Sequence, residues 1–365
     1  MEITKFYLEK WYVEYEFKSK YNLSASGIRP LKLNQLENLD DFFNTKITYS
    51  PANGSDKLLT VLAENNGFDK SQILVTNGAI EALFLIQLLL FERGDNVIVV
   101  KPSYPALYQI AENMGANIID WELDFDQNFS PDFLQLKNLM EEYKPKALII
   151  NFPNNPTGAK LDNLQKSEII EICKEYDTFL ISDEVYSQLD LDSKFDYPDY
   201  PKKITVNSLS KTFGLAGLRI GWVIASSQII EDLMNIRHYT TLCNNVISES
   251  IAVNVLKNKE IYIKENLNLL EHNRDIAYSY LDKLQNSEKI KYIKPSAGLM
   301  VFVRLENTSD SEKFCRDFEK ATEILLLPGN KYGVKYSNYF RLGFGIDTND
   351  LIYCLDKFHQ FLLKY

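Results

Sequence analysis

Between residues 73 and 208 the chain alternates short apolar, β-branched runs with helical stretches, and this rhythm is its strongest constraint. Ile73–Thr76 reads as a strand, and residues 79–91 as a buried helix behind the Asn77-Gly78 pair. Residues 96–100 form a β-branched run, and 107–114 a helix that ends at Gly115. Ala147–Asn151, residues 178–183 and residues 204–208 are further buried strands, with a helix over 164–175 between the first two. A strand that reaches the next strand through a helix returns parallel to it. The pattern therefore predicts an α/β fold, with a mainly parallel sheet flanked by helices on both faces.

Past residue 260 the texture changes. Residues 261–284 read as one long, charged amphipathic helix, and 291–293, 300–304 and 339–344 as strands of a smaller α+β unit. The first forty-odd residues lack the βα rhythm and are expected to pack on that unit. The layout expected is a large domain over residues 45–258 and a small domain built from 1–44 and 259–365.

Composition narrows the function. The net charge is −10 and no basic run exists, which argues against nucleic acid as a partner. The longest apolar stretch, residues 80–91, contains Glu81 and Gln87 and is too short for a bilayer, so no membrane partner is expected. Residues 1–20 alternate charges and aromatics, without the uninterrupted apolar stretch of a secretory signal. Cys173, Cys243, Cys315 and Cys354 are scattered, and the 3 histidines lack metal-ligand spacing. A cytoplasmic protein without a metal site is the default expectation.

The stretch richest in chemistry is Asn207-Ser208-Leu209-Ser210-Lys211-Thr212-Phe213-Gly214, continuing to Arg219. By itself Lys211 reads as one more surface lysine. Its company changes that: two hydroxyls and an arginine suit a phosphate dianion, and the stretch follows a strand, at the sheet edge where α/β folds place their sites. Asp183-Glu184-Val185-Tyr186 also ends a strand, and a carboxylate there needs a cationic partner such as a protonated pyridine nitrogen. Tyr186 can donate to a phenolate oxygen. Asn151-Phe152-Pro153-Asn154-Asn155-Pro156-Thr157-Gly158 forms a stiff loop that offers the Asn155 amide. Gly78 and Ala79 open a helix whose first N–H groups favour an anion. Tyr104 follows the 96–100 strand and can stack on a flat ring. Arg341 sits within an apolar strand and needs an anion, either a substrate carboxylate or an internal acid.

In order and spacing, these motifs resemble the class I/II, fold type I aminotransferases that depend on pyridoxal 5'-phosphate (PLP), from about Tyr49 to the C-terminus. The resemblance implies that Lys211 forms the cofactor's Schiff base and shuttles the proton, with Asp183 on the pyridine nitrogen. Tyr186 and Asn155 would hold the phenolic oxygen, and Gly78, Ala79, Ser208, Ser210 and Arg219 the phosphate. Tyr104 would stack on the ring. Arg341, with Asn155 and Gly27, would bind the substrate. Tyr49 matches a tyrosine lent to the partner's phosphate, which implies a homodimer with shared sites. Ser296-Ala297-Gly298 and Leu327-Pro328-Gly329 resemble small-domain motifs, and Tyr12, Ile28, Tyr239 and Thr240 hold positions that line the substrate pocket.

Two departures exist. The usual Leu-Arg pair after Gly54 is Leu58-Leu59 here, and Ser24-Ala25-Ser26-Gly27-Ile28-Arg29 resembles a subgroup that includes capreomycidine-synthase-like enzymes. The expected function is amino transfer between an α-amino acid and a 2-oxo acid. The alternative is a PLP-dependent lyase or cyclase using the same residues. A nicotinamide dehydrogenase would need a G-x-G-x-x-G after an early strand, and none is present.

Overall fold

In the computed structural model, which describes residues 3–36, 40–189 and 199–365, the βα rhythm becomes one large sheet. Its strands are β1 (Ile73–Thr76), β2 (Asn96–Lys101), β3 (Asn117–Glu122), β4 (Ala147–Asn151), β5 (Phe179–Asp183), β6 (Lys203–Ser208) and β7 (Gly221–Ile224). They lie in the order β1-β7-β6-β5-β4-β2-β3. Only β7 runs antiparallel to its neighbours. β1 and β4 are buried at every position, as strands covered on both faces must be. The helix Ala79–Leu90 is apolar nearly all round because it lies between the sheet and the helix Ser227–Arg237. Each leucine or isoleucine it buries contributes about 1.5–3 kcal/mol.

Two strands do not show in the hydrophobic pattern. β3 is an edge strand that pairs on one side only, so its Asn117, Asp120 and Glu122 stay partly exposed and break the apolar run. β7 is only four residues long and continues the phosphate motif without a break. The helix expected over 107–114 is divided. Pro105 starts its own 3₁₀ turn over Pro105–Leu107, and the α-helix begins at Gln109 and ends on Gly115, whose φ is +96°.

The antiparallel β7 has a consequence for the site. The parallel strands bring their C-terminal ends to one edge, and β7 brings its N-terminal end, with Arg219 just before it, to the same edge. Gly221 sits in register with both Thr76 and Ser208. A Cβ there would lie 2.5 Å from the Gly78 carbonyl carbon and 2.6 Å from the Ala79 nitrogen. A glycine is what lets the Gly78 turn approach this closely.

The second sheet is antiparallel: β8 (Ile290–Tyr292), β9 (Met300–Leu305), β10 (Leu327–Pro328) and β11 (Tyr339–Gly343), ordered β10-β11-β9-β8. The helix Lys259–Asn286 packs along β8 and the helix Thr348–Lys364. The N-terminal helix Tyr7–Tyr15 buries Leu8 and Trp11, and Trp11 Nε1 donates to the Leu326 carbonyl at 3.0 Å. Tyr21–Asn22 then pairs in parallel with Ile324–Leu325. From there residues 23–29 thread between the two sheets. Gly343 N donates to Leu23 O at 2.6 Å, Ile28 N to Lys211 O at 3.0 Å, and Arg29 N to Gly345 O at 2.6 Å. Gly343 leaves room for the Ala25 carbonyl, and a Cβ on Gly345 would lie 2.6 Å from Gly27 O.

Candidate active site

The threaded segment and the C-terminal edge of the large sheet enclose a cavity of about 900 Å³. Strand register explains its floor. Asn151 pairs with Asp183, Asp183 with Val206, and the loop carrying Lys211 starts just past β6. Lys211, Asp183, Tyr186, Asn155, Arg219 and Arg341 all line the cavity.

Lys211 Nζ donates to Ser26 Oγ at 2.8 Å. Burial, followed by the nearby Arg341 guanidinium, pulls its pKa down to about 8, with Asp183 and Glu9 pulling the other way. Asp183 is 5% exposed and accepts from Val185 N at 3.1 Å. Burial pushes its pKa up to about 6 against that hydrogen bond and Lys211. Among the described residues it makes no ion pair. Tyr186 Oη is buried and has no partner in hydrogen-bonding geometry, although Ser26 lies beside it. Asn155 Oδ1 accepts from Arg341 Nη1 and from Tyr332 Oη, each at 2.8 Å, so the amide NH₂ is the group left to donate into the cavity.

Around Gly78 the backbone forms an anion socket. Gly78 has φ +80° and caps the helix Ala79–Leu90 without a side-chain hydrogen bond, so the first N–H groups of that helix stay available. The Arg219 guanidinium lies directly over Gly78, where a Cβ would collide with it, and donates to Ala216 O at 2.9 Å. Ser208 Oγ accepts from Ser210 N at 3.3 Å. A buried acid without a cation, an orphan phenol and a glycine-floored socket beside an arginine together fit a pyridine ring bearing an oxygen and a phosphate.

At the opposite end, Arg341 is 1% exposed, and among the described residues none of its partners is a carboxylate. Nη1 also donates to Tyr332 Oη, Nη2 to Tyr12 Oη (both 2.6 Å) and to the Ser24 carbonyl, while Nε has no partner. A buried guanidinium held only by neutral groups retains its full charge for an incoming anion.

Most residues singled out from sequence meet in this cavity. Ala79, Tyr104, Ser208, Ser210, Gly27, Tyr12 and Ile28 also line it. Tyr104 Oη donates to Glu9 at 2.6 Å, and its ring meets Phe6 edge-on. Tyr49 and Tyr239 are 83% and 93% exposed, and neither they nor Thr240 lines this chain's cavity. Thr240 instead donates to Glu81, which accepts from Asn77 N and braces the Gly78 turn. Sequence reasoning missed Tyr332, Ser24, Ser26, Glu9 and Glu16. They reach the site through contacts far apart in the chain; Ser24 and Ser26 belong to the Ser24–Arg29 motif, which carried no site role, and the other three lie in no motif.

The profile of the family aminotransferase class I and II matches residues 34–358. Capreomycidine synthase of Streptomyces vinaceus is 26% identical over 94% of this chain and 90% of its own length. A probable aspartate aminotransferase of Methanocaldococcus jannaschii is 28% identical over 84% and 83%. The crystal structure of a PLP-dependent aminotransferase from Streptococcus suis superposes with a TM-score of 0.91 at 33% identity, covering 100% of this chain and 99% of that one. The chain belongs to aminotransferase class I and II, PLP-dependent enzymes whose aminotransferases exchange an amino group between an amino acid and a 2-oxo acid.

Proposed function

We propose that this chain moves an amino group between an α-amino acid and a 2-oxo acid, with Lys211 as the cofactor-anchoring and proton-carrying residue. One observation carries the reading: a buried, carboxylate-free Arg341 and the depressed amine of Lys211 share one cavity. When bound, PLP supplies an aldehyde that links to amines and a pyridinium that draws electrons from the bonds at the amino acid's α-carbon. Arg219, Ser208, Ser210 and the Gly78–Ala79 backbone hold the phosphate. Asp183 keeps the pyridine nitrogen protonated, Tyr186 Oη and the Asn155 amide donate to the ring oxygen, and Tyr104 covers the ring face. Arg341 orients the α-carboxylate. Lys211 Nζ would take the proton from the α-carbon and deliver it, on the same face, to the carbon of the cofactor's aldehyde, and a pKa pulled down to about 8 suits it to act as both base and acid.

The substrate side chain meets an acidic mouth. Glu9 and Glu16 flank Tyr12 on one face of the N-terminal segment, both line the cavity, and neither has a cationic partner among the described residues. Both also interact electrostatically with Lys211. These carboxylates favour a cationic side chain. This suits the chain's likeness to capreomycidine synthase and leaves elimination with cyclisation as the second reading.

Tyr49, exposed and outside its own cavity, is proposed to complete the partner's phosphate site in a homodimer. Among the described residues no helix is long and apolar enough to cross a membrane. With all four cysteines unpaired, the proposed compartment is the cytoplasm.

The test is stoichiometry. The PLP-loaded protein is incubated with a panel of amino acids plus 2-oxoglutarate or pyruvate. Transfer yields one new oxo acid and one glutamate or alanine, made from the added oxo acid, per amino acid consumed. Ammonia with an oxo acid, or a cyclised product, without amination of the added oxo acid would replace transfer by the second reading.

A further inference from the structure

Lysine reaches its amine through four flexible bonds, so a lysine that must find one atom repeatedly gains from a fixed resting place. In this cavity the resting place is one hydroxyl from a distant part of the chain. Lys211 Nζ donates to Ser26 Oγ at 2.8 Å across 185 residues of sequence. No other hydrogen-bond acceptor for Nζ is found among the described residues.

Ser26 is itself held firmly. The Gly27–Ile28 peptide is pinned by Ile28 N donating to Lys211 O, so the segment carrying the serine is tied to the backbone of the very lysine it contacts. A Cβ on Gly27 would lie 3.1 Å from Ser210 O and 3.7 Å from the Lys211 Cα, and Gly345 presses on Gly27 O from the other side. Two residues earlier, the Ser24 carbonyl accepts from Arg341 Nη2 and from Tyr12 Oη. One short segment therefore grips both the guanidinium at the carboxylate end and the amine at the proton-transfer end.

We infer that Ser26 is a positioning residue for Lys211, its hydroxyl holding Nζ where the α-carbon proton is taken up and passed on. This rests on the reading that Lys211 carries that proton. The charges around the amine are Arg341 and Arg219 as cations and Asp183, Glu9 and Glu16 as anions. Ser26 is the neutral group that fixes direction among them.

The isosteric pair Ser26→Thr and Ser26→Val isolates the hydroxyl, and Ser26→Ala repeats the deletion without added bulk. In the cofactor-free full chain, Lys211 is titrated by the pH dependence of its reaction with an amine-selective reagent, followed by peptide mapping. Loss of an acceptor disfavours the ammonium, so Ser26→Val and Ser26→Ala titrate lower by about half to one pH unit, while Ser26→Thr matches the parent. In the PLP-loaded protein, exchange of the substrate α-hydrogen with solvent deuterium slows about 10- to 100-fold for the hydroxyl-free variants, with KM little changed and Ser26→Thr restoring the rate. Hydroxyl-free variants that titrate and exchange like the parent overturn the assignment. A parent protein that exchanges no α-hydrogen instead defeats the functional reading, and the titration still decides Ser26.

Discussion

The two ends of the cavity are built in opposite ways. The end carrying Lys211, Asp183, Ser208 and Arg219 is assembled from strand ends of one sheet, each residue following a buried run by a few positions. The end around Arg341 draws Tyr12 and Ser24 from the N-terminal segment, Tyr332 from a 3₁₀ turn, and Arg341 from a different sheet, while Ser26 of the same segment reaches across to Lys211. The first end is rigid by local geometry. The second depends on the threaded 23–29 segment staying in place between two units. Chemistry common to a cofactor can be fixed by short motifs, whereas substrate choice is left to contacts across long stretches of chain.

The largest effect expected from separating the two ends is at Arg341. Removing a buried charge that pairs with substrate costs about 2–5 kcal/mol, so Arg341→Ala lowers kcat/KM for every α-amino acid by about 30- to 5,000-fold. PLP binding, followed by absorbance titration, stays near that of the parent. Equal loss of both would mean that the ends are not independent.

Next in size is the pH dependence of the cofactor end. Asp183 has its pKa raised from 3.8 to about 6 in the cofactor-free protein. A raised carboxyl binds its proton more readily when folded, so its stability contribution is present below pH 3.8 and lost as pH rises through about 6. The loss is about 3 kcal/mol at most. A bound pyridinium removes that penalty. The melting-temperature gap between PLP-loaded and cofactor-free protein therefore widens as pH rises from about 4 to 6, and Asp183→Asn flattens the trend. A gap independent of pH in the parent would contradict the pairing.

The smallest effect belongs to the mouth. Glu16 is exposed, so water and salt screen it. Glu16→Gln lowers kcat/KM for cationic relative to acidic amino acids by about 2- to 5-fold, and added salt erases the difference. An unchanged ratio, or a change in favour of cationic substrates, would contradict a role for Glu16 in the preference.

The same division decided how much was legible beforehand. β1, β4, β5 and β6 announced themselves as buried apolar runs, and the residues past their ends could be read as chemistry because a parallel sheet collects those ends at one edge. Arg219 was legible as a motif, but the reason it arrives there, an antiparallel β7 of four residues, was not. Ser26 was visible only as part of the Ser24–Arg29 motif, without a role, and Tyr332 left no local trace. Their roles follow from Gly27, Gly343 and Gly345 permitting close passage of backbones, a property of packing that no periodicity encodes. Tyr239 and Thr240, placed at the substrate pocket by position, lie outside this chain's cavity because the loop after Arg237 turns toward Glu81.

Everything at both ends is arranged around one amine, so the most direct measurement locates the cofactor on the chain. Purified PLP-loaded protein is reduced with borohydride, digested, and the peptides are mapped by mass. The cofactor's mass on Lys211, absent in Lys211→Ala along with turnover, is the predicted result. A reduced protein that carries it on another lysine, or an alanine variant that still turns over, would contradict the assignment of Lys211.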